Sequence, residues 1–327
     1  MKTSDNIKQT ATALGISRSS LEKTKNSLGR EPNELELKLY DKMSSEAISY
    51  KSSAAWIAQF SEKKEHVISG AGENSAGIID VGDGNCCVFK IGTHNHPAGI
   101  EPYNGAATCV ADVCRDLLSV GTKPSIIMKT LRFGSSSLDS THWLMKETLK
   151  GISDCAKALH LNDIGTKISH HESYNSSPVV SVMVAGVVPK NQLLINQPMG
   201  IGQKVLIIGA KVADEGMDKY DAYLTIAKTN TAVANNLSKA ILELNSEKLL
   251  IRAENMDMAG VLTASTAICC AANVAMNINL NNIPTETKNI SAEQLLLDRT
   301  QERFMLVADT ENVTAIKSIA KKHQLSC

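Results

Sequence analysis

Side chains suited to phosphate binding and proton transfer are concentrated between Lys90 and Asp116. Lys90 supplies a point positive charge, and Arg115 can contact a phosphate through two parallel hydrogen bonds. His94 and His96 are suited to acid/base work near neutral pH, and Asp116 is an oxygen ligand of the type that Mg²⁺ uses. Together these residue types predict a site for phosphate, magnesium and proton transfer.

The histidine pair leaves two interpretations open. Because one residue separates His94 from His96, both side chains would lie on the same side of an extended chain, where they could bind a metal together. No third ligand of comparable quality is evident nearby, and the Pro- and Gly-rich surroundings fit acid/base work and anion contact better. Each residue also has a structural alternative, such as a surface lysine or an Arg–Asp pair at a helix end. Their grouping favours a site, or the remains of one.

A strand and a helix are expected to position these residues. The apolar run 86–89 predicts a strand, within a hairpin over residues 79–91 whose turn is Gly82-Asp83-Gly84. Apolar residues at helical spacing predict a helix over 105–120. Glycine and proline residues lie between the two elements, so His94 and His96 are expected on a loop at the C-terminal end of the strand.

The rest of the chain predicts an α/β (α+β) fold. The β-branched run 178–188 is too apolar to have a solvated face, so it is expected to lie in a sheet that the helices 105–120 and 143–159 cover. Residues 189–202, rich in Pro, Gln, Asn and Gly, predict a domain boundary. The second unit is predicted to contain strands at 204–210 and 304–308, helices at 233–244, 260–276 and 313–324, an extended piece at 276–280, and a polar loop at 214–218.

Three segments of the chain are therefore expected. Helices over 17–26 and 32–43 predict a helical arm at residues 1–60, followed by domains at 61–190 and 200–327. The polar segment 43–53, which contains Tyr50, could form one wall of a ligand site or could be an ordinary helix end.

Composition excludes several classes of protein. The 34 Lys+Arg residues balance 34 Asp+Glu residues, so no basic excess indicates nucleic acid binding. The eight cysteines form no Cys-x-x-Cys pair, which favours reduced, buried thiols over a zinc site or disulfides. The sequence shows neither a secretory signal nor a membrane-spanning apolar run, so we expect a soluble, cytoplasmic protein without a membrane partner.

Several motifs together resemble one enzyme family. These are Lys90-Ile-Gly-Thr-His-Asn-His-Pro97, Gly99-Ile-Glu-Pro-Tyr-Asn-Gly-Ala-Ala-Thr108, Arg115-Asp116 and Leu131-Arg-Phe-Gly134. They closely resemble phosphoribosylformylglycinamidine synthase in its small-subunit form. Further matches at 28–33, 49–53, 178–188, 260–262 and 301–303 fall in the same order, so the resemblance covers essentially the whole chain.

The resemblance implies a fold, an activity and partners. The family pairs an aminoimidazole-ribonucleotide-synthetase-like N-terminal domain with an α/β C-terminal domain, and this chain resembles the N-terminal half of a subunit that contains the pair twice. The family is a ligase of purine biosynthesis that uses ATP and Mg²⁺ to convert formylglycinamide ribonucleotide to the amidine. The implied partners are a glutaminase that supplies ammonia, a small bridging subunit and a separate C-terminal half.

Residue roles follow from the same resemblance, position by position. His94 would be the proton acceptor, Tyr50 and Lys90 would contact ATP, and Asp116 would hold magnesium. The substrate contacts would be Thr93, Asn95, His96, Arg115 and Gln301.

Other positions depart from the family pattern and predict impaired activity. Ala47 replaces a catalytic histidine, and loss of a positioned acid/base group costs about 10² to 10⁴ in rate. Gly92 and Asn255 replace acidic magnesium ligands. Further replacements in the family's motifs are Lys167, Ala227 and Arg299.

Three functions remain open from the sequence. The chain could be a synthase component that acts only with a complementing half, or a catalytically inactive homologue that binds a phosphorylated ligand or a partner. A small-molecule kinase of the same superfamily is disfavoured, because the loop from Lys90 to Asn104 follows the synthase pattern closely.

Overall fold

The computed structural model describes residues 2–60, 65–70, 72–195, 197–213, 226, 228–256 and 258–327. The predicted loop at 214–218 and Ala227 lie outside these residues. The chain forms two compact units, Met1–Glu62 and Lys63–Cys327.

The first unit is helical. Glu34–Met43 begins at a capping box, in which the Asn33 side chain accepts from the backbone of Glu36 and the Glu36 carboxylate accepts from the backbone of Asn33. A small cluster of Ile7, Ala11, Leu21 and Leu37 is buried among the longer helices. The helices are α1 (Lys2–Ala13), α2 (Arg18–Leu28), α3 (Glu34–Met43), α4 (Glu46–Ser49) and α5 (Ala54–Ile57). The two predicted helices correspond to α2 and α3.

The second unit contains a six-stranded sheet with the order β1-β2-β3-β6-β4-β5. All neighbouring strands are antiparallel except β4 and β5, which are parallel. The strands are β1 (Val67–Ser69), β2 (Gly77–Gly82), β3 (Asn85–Thr93), β4 (Ile126–Phe133), β5 (Asn162–His170) and β6 (Val179–Pro189). The predicted hairpin is confirmed as β2 and β3, whose turn residues Asp83 and Gly84 have the positive φ angles that tight hairpins favour.

Three helices follow β3 and β4, and α7 is central to the core of this sheet. They are α6 (Asn95–Ile100), α7 (Pro102–Ser119) and α8 (Asp139–Ala158). Every residue of α7 from Gly105 to Ser119 is buried, including three charged ones. α8 approaches α7 closely at Gly151, where a Cβ atom would overlap the carbonyl oxygen of Tyr103. Charged side chains inside such a helix need partners, which identifies α7 as the element that carries the site.

A three-stranded antiparallel sheet with the order β7-β9-β8 forms the remainder of this unit. Its central strand, β9, is buried at every position. The strands are β7 (Lys204–Gly209), β8 (Arg252–Asn255) and β9 (Arg303–Ala308), and the helices are α9 (Thr231–Ser246), α10 (Gly260–Ala272), α11 (Ala292–Leu297) and α12 (Val313–Lys322). The predicted α/β fold class is confirmed.

The extended piece predicted at 276–280 is wrong, because the segment forms no strand. The Asn279 side chain accepts a hydrogen bond from the backbone of Asn281, which favours a turn over a ladder. Ile278, in irregular chain, and Leu280, at the start of a short 3₁₀ helix, pack against a core cluster.

The cysteines are all free thiols, as the sequence predicted. Cys86, Cys109, Cys114 and Cys155 are buried, whereas Cys270 is exposed, so the expectation of burial holds for only part of the set. In the described part of the chain, no helix combines the length and apolar character that crossing a membrane requires.

Candidate functional site

The predicted site residues of the second unit converge from three places in the chain. Lys90 lies on β3, which leads directly to His94, while Arg115 and Asp116 lie on the buried helix α7. Asn255 ends β8 in the smaller sheet. The site therefore lies where α7 meets the end of the smaller sheet.

Arg115 is the most highly connected side chain of the site. It is 3% exposed, and its Nε donates to Asn255 Oδ1 at 2.9 Å. One terminal nitrogen donates to Asp112 Oδ1 at 3.2 Å and to Gln301 Oε1, and the other lies 3.4 Å from Glu302 Oε1. The guanidinium thus ties α7 to β8 and to the residues before β9. Its predicted contact with substrate stays a prediction.

Two buried carboxylates stand one helical turn apart on α7. Asp112 Oδ1 and Asp116 Oδ1 both accept from the side-chain nitrogen of Asn255, at 2.9 and 3.0 Å. Asp116 Oδ2 lies 3.0 Å from Lys90 Nζ, which also donates to the Ser75 carbonyl at 2.7 Å. Burial, with the nearby charge of Asp112, raises the pKa of Asp116 to about 6, although Lys90 opposes that rise.

His94 faces the first of these carboxylates, Asp112. Its Nε2 lies 3.9 Å from Asp112 Oδ2, and its backbone nitrogen donates to the Val180 carbonyl at 3.0 Å. Burial lowers the pKa of His94, while Asp112 raises it and Arg115 lowers it. Nδ1 is buried and has no partner of normal hydrogen-bond geometry among the described residues. A largely neutral imidazole of this kind can accept a proton.

The expectation of a loop at the end of the strand holds for His94, which directly follows β3, but it is wrong for His96. His94 is the residue before α6, and His96 lies within that helix. Because a helix turns by about 100° per residue, the side chains do not share one side as they would in a strand. His96 is exposed, so it does not join His94 and Asp112 in the buried centre.

Thr93 and Asn95 hold the segment around His94 against β6. The Thr93 hydroxyl lies 2.8 Å from the Ser181 hydroxyl, and Asn95 Oδ1 accepts from the Val180 backbone at 2.9 Å. These contacts fix where β3 ends and α6 begins. Their predicted substrate contacts stay predictions.

Gln301 and Glu302 bring the smaller sheet to Arg115. Gln301 is buried, accepts from Arg115 and donates to the Arg299 carbonyl at 2.9 Å. Glu302 has a positive φ of 56° and accepts from the Thr229 hydroxyl and, at 3.2 Å, from the Asn230 backbone. Burial raises the pKa of Glu302, while Arg115 opposes that shift.

The structure adds residues to the site that the sequence analysis did not identify. Asp112 contacts Arg115 and Asn255 and faces His94. Its spacing was a usable signal, because residues three and four apart on a helix share a face and Asp112 precedes Arg115 and Asp116 by those intervals. The contact of Glu302 with Arg115 depends on chain folding and had no local signal.

Tyr50 and Ala47 lie in the helical unit Met1–Glu62. Tyr50 ends the short helix α4 with a φ of 49° and is 56% exposed, and Ala47 lies within α4. Their predicted relation to ATP and to catalysis stays a prediction.

The side chains present do not fit a resident magnesium ion. Asp116 already pairs both oxygens with nitrogen donors, from Asn255 and Lys90. At Gly92 a side chain would overlap Val113 Cγ2. No group of three or more His, Cys, Asp or Glu side chains in the described ranges is placed to hold a metal ion.

Comparison with known protein families shows which domain family the larger sheet resembles. A family model described as AIR synthase related protein, N-terminal domain, matches residues 73–188. That range contains β2 to β5, most of β6, and the helices α6 to α8 with His94, Arg115 and Asp116. Most of the larger sheet, with His94, Arg115 and Asp116, is therefore similar to an AIR-synthase-related N-terminal domain, whereas Asn255, Gln301 and Glu302 lie outside the matched range.

The comparisons over the whole chain are more specific. Phosphoribosylformylglycinamidine synthase subunit PurL from Granulibacter bethesdensis is 30% identical over 327 residues, which cover 96% of this chain and 45% of that relative. The structure of Thermotoga maritima PurL complexed with ATP is 28% identical to this chain, covers 95% of it over 50% of the solved chain, and has a TM-score of 0.80. The structure of the same protein complexed with FGAR is also 28% identical, covers 94% of this chain over 51% of the solved chain, and has a TM-score of 0.81. A chain in the structure of PurLQS from the same organism is 29% identical, covers 93% of this chain over 48% of the solved chain, and has a TM-score of 0.80. The chain is a PurL-like protein, as the sequence predicted, and it spans about half the length of the relatives it matches.

Proposed function

We propose that this chain is a phosphoribosylformylglycinamidine synthase-like component of purine biosynthesis. In this role it would bind ATP and formylglycinamide ribonucleotide and assist amidine formation with ammonia, with low activity unless a complementing half is present. The observation that carries the proposal is the convergence of Lys90, His94, Arg115 and Asp116 around one buried centre. The solved PurL complexes with ATP and with FGAR support the choice of ligands.

The chain's own residues suggest a division of labour in this reaction. Burial lowers the pKa of His94, so its imidazole can take a proton from the attacking ammonia, and Asp112 at 3.9 Å would stabilise the resulting cation. Lys90, which is about one-third exposed, can reach a phosphate by leaving Asp116. Arg115 is 3% exposed and would act mainly by holding Asp112, Asn255 and Gln301 in position.

The cofactor and partner assignments rest on the same proposal. Mg²⁺ would enter with the phosphates of ATP, since the carboxylates of α7 are already paired with nitrogen donors. We propose a glutaminase as the source of ammonia, together with a small bridging subunit and the complementing half of the synthase, and a cytoplasmic location. The assembly described as PurLQS supports the choice of partner subunits.

The direct test is ammonia-dependent synthesis of the amidine by the purified chain, alone and with candidate complementing subunits. We expect low turnover by the chain alone, higher turnover with a complementing half, and loss of turnover in His94→Ala. Thermal melting with formylglycinamide ribonucleotide and with Mg-ATP separates binding from turnover. If neither ligand shifts the melting temperature of the chain or of its complex, the proposed ligands are wrong.

One observation favours the inactive homologue as a second candidate. Asn255 lies between the two carboxylates of α7 at a position where the resemblance implies an acidic ligand. A chain of this class would bind the ribonucleotide or a partner without turnover. It is distinguished by a ligand-induced rise in melting temperature with no amidine formed under any complementing condition.

A further inference from the structure

Asp112 and Asp116 form the most concentrated negative charge in the buried part of the site. Their side chains are 12% and 13% exposed, and both belong to the same face of α7. Two desolvated carboxylates on adjacent turns are costly unless cations or hydrogen-bond donors compensate them. The groups that compensate them here all come from the chain.

The Asn255 amide occupies the space between the two carboxylates. Its nitrogen carries two hydrogens and donates to Asp112 Oδ1 at 2.9 Å and to Asp116 Oδ1 at 3.0 Å. Its oxygen accepts from Arg115 Nε at 2.9 Å, which fixes the amide with its nitrogen towards the carboxylates. An aspartate at position 255 would place a third negative charge beside the Asp112 and Asp116 carboxylates and repel them.

Lys90, Arg115 and His94 also face the two carboxylates. Asp116 Oδ2 lies 3.0 Å from Lys90 Nζ, and Asp112 Oδ1 also accepts from Arg115 at 3.2 Å. Asp112 Oδ2 faces His94 Nε2 at 3.9 Å. A magnesium ion needs oxygen lone pairs directed at it from about 2.0 to 2.1 Å. Here Asp112 Oδ1 and both oxygens of Asp116 are directed at N–H groups.

The neighbouring acidic side chains are also engaged. Glu302 accepts from Thr229 and Asn230 and pairs with Arg115, and Glu254 pairs with Arg252 at 2.8 Å. At position 92, any side chain would overlap Val113, so β3 supplies no acidic ligand either. Among the described residues, three of the four oxygens of Asp112 and Asp116 are paired with nitrogen donors of the protein without a metal ion.

We propose that Asn255 and Lys90 take the place of a divalent cation in this chain, so that the two carboxylates of α7 are held by protein donors and the centre contains no resident metal ion. The inference concerns the resting protein and does not depend on the proposed activity. It also makes a specific claim about position 255. An aspartate there is expected to convert the centre into one that needs a divalent cation.

The experiment compares the full chain with Asn255→Asp, Asn255→Leu and Asn281→Asp, each stripped with EDTA and titrated with Mn²⁺ or Mg²⁺. The wild type is expected to keep its melting temperature and to leave the electron paramagnetic resonance signal of free Mn²⁺ unchanged. Asn255→Asp is expected to melt at a lower temperature in EDTA, to recover with either ion and to bind one Mn²⁺. Asn255→Leu should melt lower without recovery, and the exposed control Asn281→Asp should match the wild type.

The wild-type titration keeps the inference open to refutation even if Asn255→Asp fails to fold. One Mn²⁺ bound per wild-type chain, with a rise in melting temperature that Asp116→Asn abolishes, would overturn it. A folded Asn255→Asp variant that shows no response to metal would also overturn it. Neither outcome bears on nucleotide binding or amidine formation, because the titration contains neither substrate.

Discussion

At the scale of single residues, Asp112 and burial have opposite effects on the pKa of His94. Burial lowers the pKa of His94, and the Asp112 carboxylate opposes that shift. We predict that Asp112→Asn lowers the pKa of His94 further, because the opposing negative charge is lost while the burial remains. An NMR titration of the imidazole, with each histidine assigned, measures this shift. Asp163→Asn, on an exposed part of β5, serves as the control.

The direction of the His94 pKa change in Asp112→Asn shows whether the Asp112 carboxylate acts on the imidazole. A His94 pKa that stays constant or rises in Asp112→Asn would show that the carboxylate does not act on the imidazole. If the pKa falls as predicted, the fraction of His94 that is protonated at neutral pH falls with it. Any rate that depends on neutral His94 would then extend to lower pH in this variant.

The residue types of the site could be predicted from the sequence, but their partners could not. The grouping of Lys90, His94, Arg115 and Asp116 is local and was visible in the chain. Asn255 was identified only as a departure from the family, and its contacts with both carboxylates come from β8, far away in sequence. Contacts of that kind depend on how the sheets pack, which local patterns do not contain.

At the scale of elements, the stability of the N-terminus of α3 depends on pH through the capping-box residue Glu36. Arg30, and then the backbone of Asn33, lower the pKa of Glu36 to about 2 from an ordinary value near 4.5. Because the folded-state pKa is depressed, its stabilising effect is present above about pH 4.5 and is lost as the pH falls towards about 2. We predict that Glu36→Gln removes this acid-dependent loss of α3. Solvent exposure keeps the effect near 1 kcal/mol, the usual value of a cap.

Circular dichroism of the chain and of Glu36→Gln between pH 7 and pH 2 measures the effect. Glu34→Gln is the matched control, since Glu34 lies on the same helix but outside the capping box. Equal acid sensitivity of the two variants would contradict the prediction.

The junction of α6 and α7 depends on the small size of Gly105. A Cβ atom at this position would lie 2.5 Å from the Ala98 nitrogen and the Pro97 carbonyl carbon, both in the backbone that follows His94. Because backbone atoms cannot move aside, we predict that Gly105→Ala costs about 1 to 3 kcal/mol of unfolding free energy. Gly99→Ala is the control, since its Cβ would meet Pro178 Cδ at an ordinary 3.5 Å. Urea denaturation of both variants measures the difference, and equal midpoints would refute the steric explanation.

The sequence predicted most apolar elements of this unit, but it missed β4 and the polar strand β5. The helix expected at 105–120 is α7, and the strand expected at 178–188 is β6. β5 was missed because eight of its nine residues are exposed, so it lacks the apolar alternation that signals a strand. Its position follows from parallel pairing with β4, a contact between segments distant in sequence.

At the scale of the whole molecule, α7 links the two sheets of the unit Lys63–Cys327. Its residues from Ala106 to Leu117 contribute to the core of the larger sheet, whereas Leu118 belongs to the core of the smaller one. The site also joins α7 to the smaller sheet, since Arg115 on α7 binds Asn255 of β8 and Gln301, which precedes β9. The proposed division into domains at 61–190 and 200–327 stays a prediction, and the shared helix indicates that the two would be strongly coupled.

This coupling gives a prediction for cooperative unfolding. Leu118 is 2% exposed at the last turn of α7, and Leu118→Ala is expected to cost about 2 to 5 kcal/mol through a cavity in the smaller core. Because α7 also carries the larger core, amide hydrogen exchange should lose protection equally in β9 and in β6. Leu295→Ala, on α11, is the control and should affect β9 more than β6, because the cluster that contains Leu295 includes Met305 and Val307 of β9. Loss of protection confined to β9 in Leu118→Ala would mean that the two sheets open independently, and that the site they share can separate without global unfolding.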